Sequence, residues 1–176
     1  MFTDISVSRD LQDSFKNYLE KESVSLGCDF SVLVLTSGAW PLTPPTTNFN
    51  IPAGLMECES HFQKYYTKQF VGRKLYWLHQ QSKGELKSLT FASNKTQGYT
   101  FQCSTYQMGI LLLFNDKSTI NYVDIRESTQ LTDEVLKATL KTLIKVRVLL
   151  CDPKITPENA NLTEKHRFIV NPNFKR

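Results

Sequence analysis

The most apolar stretch of the chain lies between Ser104 and Asn115, and it begins with the signals of a helix start. Ser104 is followed three positions later by Gln107, the spacing of a capping box, in which each side chain accepts a backbone N–H of the other residue. From position 106 to position 114, only this glutamine and one glycine interrupt the apolar residues. The pattern predicts a helix buried on nearly every face. At about nine residues, it is too short for the roughly 20 that cross a bilayer.

Two longer segments repeat apolar residues at the spacing of one helical face. They are residues 8–22, with Leu11, Phe15, Tyr18 and Leu19 on that face, and Ala53–Phe70. Two further helices are predicted nearer the carboxyl end. One covers Tyr122–Ser128, and the other begins after Thr132, a residue type that commonly caps helices.

Short runs of aliphatic and β-branched residues predict strands between these helices. We predict strands at Phe30–Leu35, Leu75–His79, Glu85–Phe91, Tyr99–Cys103, Val146–Cys151 and His166–Val170. Ser82, Lys83 and Gly84 separate the second strand from the third, and such a short polar connection predicts a hairpin. The last two strands would form a wing behind the preceding helices.

The order of these elements predicts an α+β fold in three parts. A helix in residues 1–26 comes first, and a small α/β sheet unit occupies residues 27–116. From about residue 117 onward the elements become short helices followed by two strands, which is the order of a winged helix. We therefore place a winged-helix unit at residues 117–176.

Composition and charge restrict the class of protein without identifying it. With 40% hydrophobic and 22% charged residues, the chain has the composition of an ordinary globular domain. The formal net charge of +4 permits acidic partners and does not require nucleic acid. The four cysteines are widely separated and include no Cys-x-x-Cys pair. We expect reduced and mostly buried thiols in a protein of the cytoplasm and nucleus.

The sequence offers no arrangement typical of catalysis or of metal binding. Its three histidines, His61, His79 and His166, fall in separate predicted elements without a carboxylate or thiol at a suitable spacing. The seven glycines are scattered and form no phosphate-binding loop. We therefore predict no catalytic residue, no metal site and no cofactor.

A basic stripe supplies the main alternative interpretation. Lys137, Lys141 and Lys145 are spaced four residues apart and share one face of the helix after Thr132. In a winged helix that binds DNA, this helix would enter the major groove and the lysines would contact phosphates. The stripe holds no arginine, asparagine or glutamine suited to bidentate reading of bases. A solvated face, or a face for an acidic protein partner, is the simpler interpretation.

The two tryptophans allow two interpretations as well. Trp40 and Trp77 each follow or lie within a predicted strand. Both residues could be part of the hydrophobic core. Aromatic residues next to strands also serve as anchors for an added peptide.

Five segments, in the same order along the chain, resemble the cullins, the elongated scaffolds of multisubunit ubiquitin ligases. The segments are Met1–Leu11, Val34–Pro41 (VLTSGAWP), Gly72–Trp77 (GRKLYW), Ser104–Asn115 (STYQMGILLLFN) and Ser128–Leu140. The match is to the carboxy-terminal cullin-homology region. The resemblance implies that residues 1–26 are the terminal helix of a helical bundle. It also implies that the chain ends before the final winged helix of a cullin, as a fragment of a longer protein would.

The resemblance implies a non-catalytic function. In cullins, the sheet of the α/β unit accepts an extended segment of a small, zinc-bearing RING-box protein as an additional strand, a form of β-augmentation. The RING protein in turn recruits a ubiquitin-conjugating enzyme, so that ubiquitin reaches substrates destined for degradation. Other cullin regulators are further expected partners, whereas nucleic acid and membranes are not. Carried onto this sequence, the RING-binding residues are Val32, Leu33, Val34, Leu35, Trp40, Leu75 and Trp77, within Val32–Leu35 and Leu75–Leu78 and their surroundings.

Overall fold

A computed structural model describes residues 2–43, 45, 47–88, 98–155 and 161–174. Five α-helices and five strands are present in these ranges, and α-helices and antiparallel sheets together confirm the predicted α+β class. The helices are α1 (Phe2–Lys21), α2 (Ala53–Gln69), α3 (Thr105–Leu112), α4 (Tyr122–Thr129) and α5 (Asp133–Lys145). The strands are β1 (Lys83–Ser88), β2 (Tyr99–Ser104), β3 (Thr119–Asn121), β4 (Leu149–Asp152) and β5 (Arg167–Val170). Two short 3-10 helices cover His79–Gln81 and Leu113–Asn115.

The chain divides into two compact units. The first unit comprises residues 1–44 and 51–77, and the second comprises residues 45–50 and 78–176. These limits differ from the three predicted parts 1–26, 27–116 and 117–176, which stay a prediction of domain organisation. No helix within the described ranges is long and apolar enough to cross a membrane.

The first unit is built on α1 and α2, and the predicted spacing of their apolar residues is confirmed. Five side chains from these helices are buried in its core: Leu11, Phe15, Phe62, Tyr65 and Tyr66. The four aromatic rings pack against one another, with 5.1 Å between the centroids of Phe15 and Phe62 in an edge-to-face arrangement. Gly72, with a φ of 85°, adopts the left-handed conformation after α2 that favours glycine.

The second unit contains two antiparallel sheets. In one, β1 pairs with β2 from Lys83 opposite Ser104 to Ser88 opposite Tyr99. In the other, β5 lies between β3 and β4. The hydrophobic core of this unit is formed by fourteen buried residues: Tyr106, Ile110, Ile120, Tyr122, Ile125, Leu131, Leu136, Leu140, Leu143, Ile144, Leu149, Cys151, Leu162 and Phe168.

The predicted capping box at the start of α3 is confirmed. The Ser104 Oγ atom accepts the Gln107 backbone N–H at 3.2 Å, and the Gln107 Oε1 atom accepts the Ser104 N–H at 3.0 Å. Ile110 is fully buried, as predicted, whereas Leu112 and its neighbours at positions 111, 113 and 114 are half-buried. Thr132 takes the predicted cap position of α5, but its side chain makes no capping hydrogen bond.

Several strand predictions were wrong. Phe30–Leu35 and Leu75–His79 are not strands, and the latter ends in a 3-10 helix from His79 to Gln81. The partner of β1 is β2, so the predicted hairpin across Ser82, Lys83 and Gly84 does not form. Positions 89–91 of the predicted third strand lie outside the described residues.

The three-residue strand β3 was not predicted. Helices α4 and α5 and strands β4 and β5 follow the predicted order, and the winged-helix assignment stays a prediction.

Candidate partner-binding site

Residues 30–36 of the first unit, here named the 30–36 segment, belong to no helix or strand, and every second residue contacts α1, which is the spacing of an extended chain. The side chains of α1 supply the hydrogen bonds that a neighbouring strand would otherwise make. Three residues of α1, Asp4, Ser8 and Gln12, bind the segment along its length. We refer to these three side chains as the polar face of α1.

The contacts alternate along the segment. The Gln12 side chain donates to the Phe30 carbonyl at 2.9 Å and accepts the Val32 N–H at 3.0 Å. The Ser8 hydroxyl donates to the Val34 carbonyl and accepts the Val34 N–H, both at 2.9 Å. At the far end, the Asp4 carboxylate accepts the Thr36 N–H at 3.1 Å.

Helix and strand spacings explain why this arrangement works. Four residues of an α-helix advance about 6 Å, and two residues of an extended chain advance about 6.6 Å. Positions 4, 8 and 12 of the helix therefore lie beside every second residue of the segment. Because Gln12 contacts the start of the segment and Asp4 its end, the two run antiparallel.

One edge of the segment consequently has hydrogen-bond partners for its backbone, and the other edge has none among the described residues. In an extended chain, the N–H and C=O groups of successive residues point to opposite sides. Those of Val32 and Val34 face α1, and those of Ser31, Leu33 and Leu35 face away from it. Among the described residues, no hydrogen bond reaches the backbone of these three. We name them the outer edge of the 30–36 segment.

From position 30 to position 34, the side chains of the segment alternate between half-buried and exposed. Val32 and Val34 pack against the core of the first unit, whereas Leu33 is 64% exposed. An exposed leucine on an edge that lacks backbone partners is the combination that promotes pairing with another chain.

A second stretch outside the helices and strands, residues 74–77, shows the same alternation of burial. Leu75 and Trp77 pack on the core, and Tyr76 between them is 77% exposed. The Trp77 ring centroid lies 6.1 Å from that of Phe62 and 6.3 Å from that of Phe30. Trp77 is therefore partly buried in the core, while its remaining surface helps to line a shallow groove along α2.

Trp40 is held by the polar face of α1. Its indole N–H donates to the Asp4 carboxylate at 2.8 Å. This bond, together with the Thr36 backbone N–H, lowers the pKa of Asp4 below its usual value of 3.8. The tryptophan thus fixes the turn that follows the 30–36 segment.

All seven predicted RING-binding residues lie in the first unit. Val32, Val34, Leu75 and Trp77 face the core, and Leu33 is exposed. Sequence reasoning missed the polar face of α1. The signal was available as polar residues at positions 4, 8 and 12, beside the apolar residues that predicted the helix.

Two lysines of the stripe and one histidine make contacts within the fold. Lys137 and Lys141 are half-buried, and the Lys137 amino group lies 4.0 Å from the Asp133 carboxylate. Buried His166 accepts the Thr163 N–H on its Nδ1 atom, which is a role within its turn. Within the described ranges, no group of three or more His, Cys, Asp or Glu side chains could hold a metal ion.

Comparison with known proteins agrees with the α+β fold. A family model described as the cullin alpha+beta domain matches residues 34–174. The chain belongs to the cullin family. It is 54% identical over 176 residues to Cullin-1 of Dictyostelium discoideum, covering 99% of this chain and 22% of that protein. It is 38% identical to Cullin-1 of Schizosaccharomyces pombe, with the same coverage, and 35% identical to Cullin-3 of Dictyostelium discoideum over 88% of this chain and 20% of that protein. The chain thus spans about a fifth of the length of these relatives.

Proposed function

We propose that this chain is the part of a cullin scaffold that holds the RING-box subunit of a ubiquitin ligase. The chain itself is non-catalytic. The RING-box protein carries the zinc and recruits the ubiquitin-conjugating enzyme, and the complex acts in the cytoplasm and nucleus. The nucleic-acid alternative has no support in the lysine stripe or in the relatives.

The outer edge of the 30–36 segment is the observation that carries this proposal. A strand of the RING-box protein adds there, so that its backbone pairs with the N–H and C=O groups of Ser31, Leu33 and Leu35. The opposite edge is already occupied by α1, which leaves one direction of approach. The exposed side chains of Leu33 and Tyr76 supply apolar surface on which an incoming strand can pack.

Residue-resolved hydrogen exchange, with and without a RING-box protein, tests this mechanism. Strand addition should protect the Ser31, Leu33 and Leu35 amides strongly. The Val32 and Val34 amides already donate to α1 and should change little. Equal protection of all five amides would indicate general burial instead of strand pairing, and protection of none on tight binding would refute strand addition.

A pair of variants at Leu33 separates the backbone from the side chain. Leu33→Pro removes an outer-edge N–H and should weaken RING-box binding by roughly tenfold or more, the equivalent of one hydrogen bond together with the lost strand geometry. Leu33→Ala keeps the N–H and should weaken binding less. Circular dichroism of both variants checks that α1 and α2 stay folded. If the folded wild-type chain binds no RING-box protein, the scaffold proposal fails.

A further inference from the structure

Two of the four cysteines meet in the first unit. The Sγ atoms of Cys28 and Cys58 lie 3.6 Å apart, although 30 positions separate the residues in the chain. Cys28 is exposed in the connection between α1 and the 30–36 segment, and Cys58 is fully buried on α2. The other two cysteines, Cys103 and Cys151, are buried in the second unit.

The two thiols are not equivalent chemically. The Cys58 thiol contacts the Gly54 carbonyl at 3.4 Å, as its donor, and this leaves its sulfur free to accept the Cys28 S–H. Burial, reinforced by the contact with Cys28, raises the pKa of Cys58 to about 12. Cys58 is therefore a protonated, shielded thiol, and Cys28 is the one that a reagent in solution reaches first.

We propose that Cys28 and Cys58 are a redox modification site, at which a disulfide oxidant of the glutathione type converts the two thiols into an intramolecular disulfide. The Cys28 thiolate attacks one sulfur of glutathione disulfide and releases one glutathione thiolate. The Cys58 thiol then gives up its proton, its thiolate attacks the Cys28 sulfur, and the second glutathione leaves as a thiolate that takes up a proton. Two protein thiols are oxidised by two electrons, and one glutathione disulfide is reduced to two thiols.

The fold favours the second step because the partners are already in contact. A disulfide requires an S–S distance of about 2.05 Å, so the sulfurs must approach by roughly 1.5 Å. Cys28 lies in an irregular connection, and its backbone can supply this movement while α2 stays in place. The inference is independent of RING-box binding, since both residues and the test below involve this chain alone.

Counting of thiols by mass spectrometry tests the proposal. The folded full chain is equilibrated with reduced and oxidised glutathione, quenched with acid and alkylated after denaturation. The reduced chain should take up four alkyl groups and the oxidised chain two, with Cys28 and Cys58 linked in one pair of peptides. Cys103→Ser and Cys151→Ser variants, as matched controls, should still form this link.

Single variants at the site provide the opposite control. Cys28→Ser should retain three alkylatable thiols at every glutathione ratio, and Cys58→Ser should stop at a glutathione adduct on Cys28. In thermal unfolding, oxidation should raise the melting temperature of the wild-type chain by roughly 5 to 10 °C, because the disulfide closes a long loop of the unfolded chain. Neither variant should show this rise. Retention of all four thiols under oxidising conditions, or linkage only after unfolding, would overturn the proposal.

Discussion

The 30–36 segment and strand β5 are both extended, but their backbones are satisfied in different ways. β5 pairs with β3 on one side and with β4 on the other, so backbone groups of neighbouring strands fill both edges. The 30–36 segment is bound on one side by helix side chains. Its outer edge has no partner among the described residues. A helix can therefore replace a strand along one edge, and it leaves the second edge available to another chain.

The difference has an energetic consequence. In β5, pairing with the neighbouring strands is made by backbone groups that every residue carries. In the 30–36 segment, it depends on the particular side chains Asp4, Ser8 and Gln12, which a single substitution can remove. The conformation of the segment should be far more sensitive to mutation of α1 than that of β5 is to substitutions at its surface.

The largest effect is expected at Phe15, which fixes α1 against α2. This ring is fully buried and lies within 5.3 Å of the Tyr65 ring, centroid to centroid. Phe15→Ala should lower the free energy of unfolding by about 3–5 kcal/mol, through lost transfer energy and a residual cavity. Chemical denaturation followed by circular dichroism measures the loss.

The control for this variant is an exposed apolar residue of the same unit. Leu33→Ala should change the free energy of unfolding by less than about 0.5 kcal/mol, since its side chain is mostly in solvent. Comparable losses in the two variants would show that α1 is not anchored through Phe15, and the contrast between the regions would lose its basis.

The next largest effect is expected from Ser8→Ala. The Ser8 side chain is buried, and its hydroxyl bonds both backbone groups of Val34. Its removal leaves a backbone donor and acceptor unsatisfied and should cost about 1–3 kcal/mol. The Val34 amide should also exchange faster with solvent, which NMR can follow.

Ser14→Ala is the matched control on the same helix. Ser14 is exposed, so its replacement should alter stability by no more than about 0.5 kcal/mol and leave Val34 exchange unchanged. If Ser8→Ala is equally harmless, then side chains of α1 do not hold the 30–36 segment.

The same contrast explains what could be predicted from the sequence. The helical spacing of apolar residues predicted α1 and α2, and the spacing of Ser104 and Gln107 predicted the start of α3. Both signals are local in the sequence. The aliphatic run at positions 32–34 predicted a strand, and the structure has no strand there. Whether such a run becomes a strand depends on a partner distant in the chain, and here the partner is the side of a helix.

The contacts that the sequence analysis did not predict join residues that are distant in the chain. The pairing of β1 with β2 joins Lys83 to Ser104 across a long connection, and the short polar turn favoured a nearer partner. The meeting of Cys28 and Cys58 follows from the packing of a connection on α2, which spacing in the sequence does not encode. The family resemblance drew attention to the 30–36 segment, and the contacts with α1 leave one of its edges without hydrogen-bond partners among the described residues.

A smaller loss of stability is expected in β1, which is held by backbone pairing with β2. A Cβ atom at Gly84 in β1 would lie 2.8 Å from both Sδ and Cε of Met108. Since the methionine side chain is flexible, Gly84→Ala should cost only about 1–2 kcal/mol. The double variant Gly84→Ala, Met108→Ala should remove the clash, so that the alanine at position 84 costs less than in the wild-type background. An unchanged cost in a double-mutant cycle would assign the effect to the backbone instead.

The smallest effect is a pH dependence confined to the end of the 30–36 segment. The Trp40 indole N–H and the Thr36 N–H favour the ionised Asp4 carboxylate, so the pKa of Asp4 is lowered in the folded chain. A carboxylate whose pKa falls on folding stabilises the folded state above its unfolded pKa, and this stabilisation is lost as the pH drops through the folded value. The indole proton resonance of Trp40 should therefore shift with a midpoint below pH 3.8.

Asp4→Asn should abolish the shift, whereas Asp13→Asn, on an exposed position of the same helix, should leave it unchanged. A midpoint at or above the usual value would mean that Trp40 does not bind the carboxylate, and the turn after the segment would then be held by other contacts.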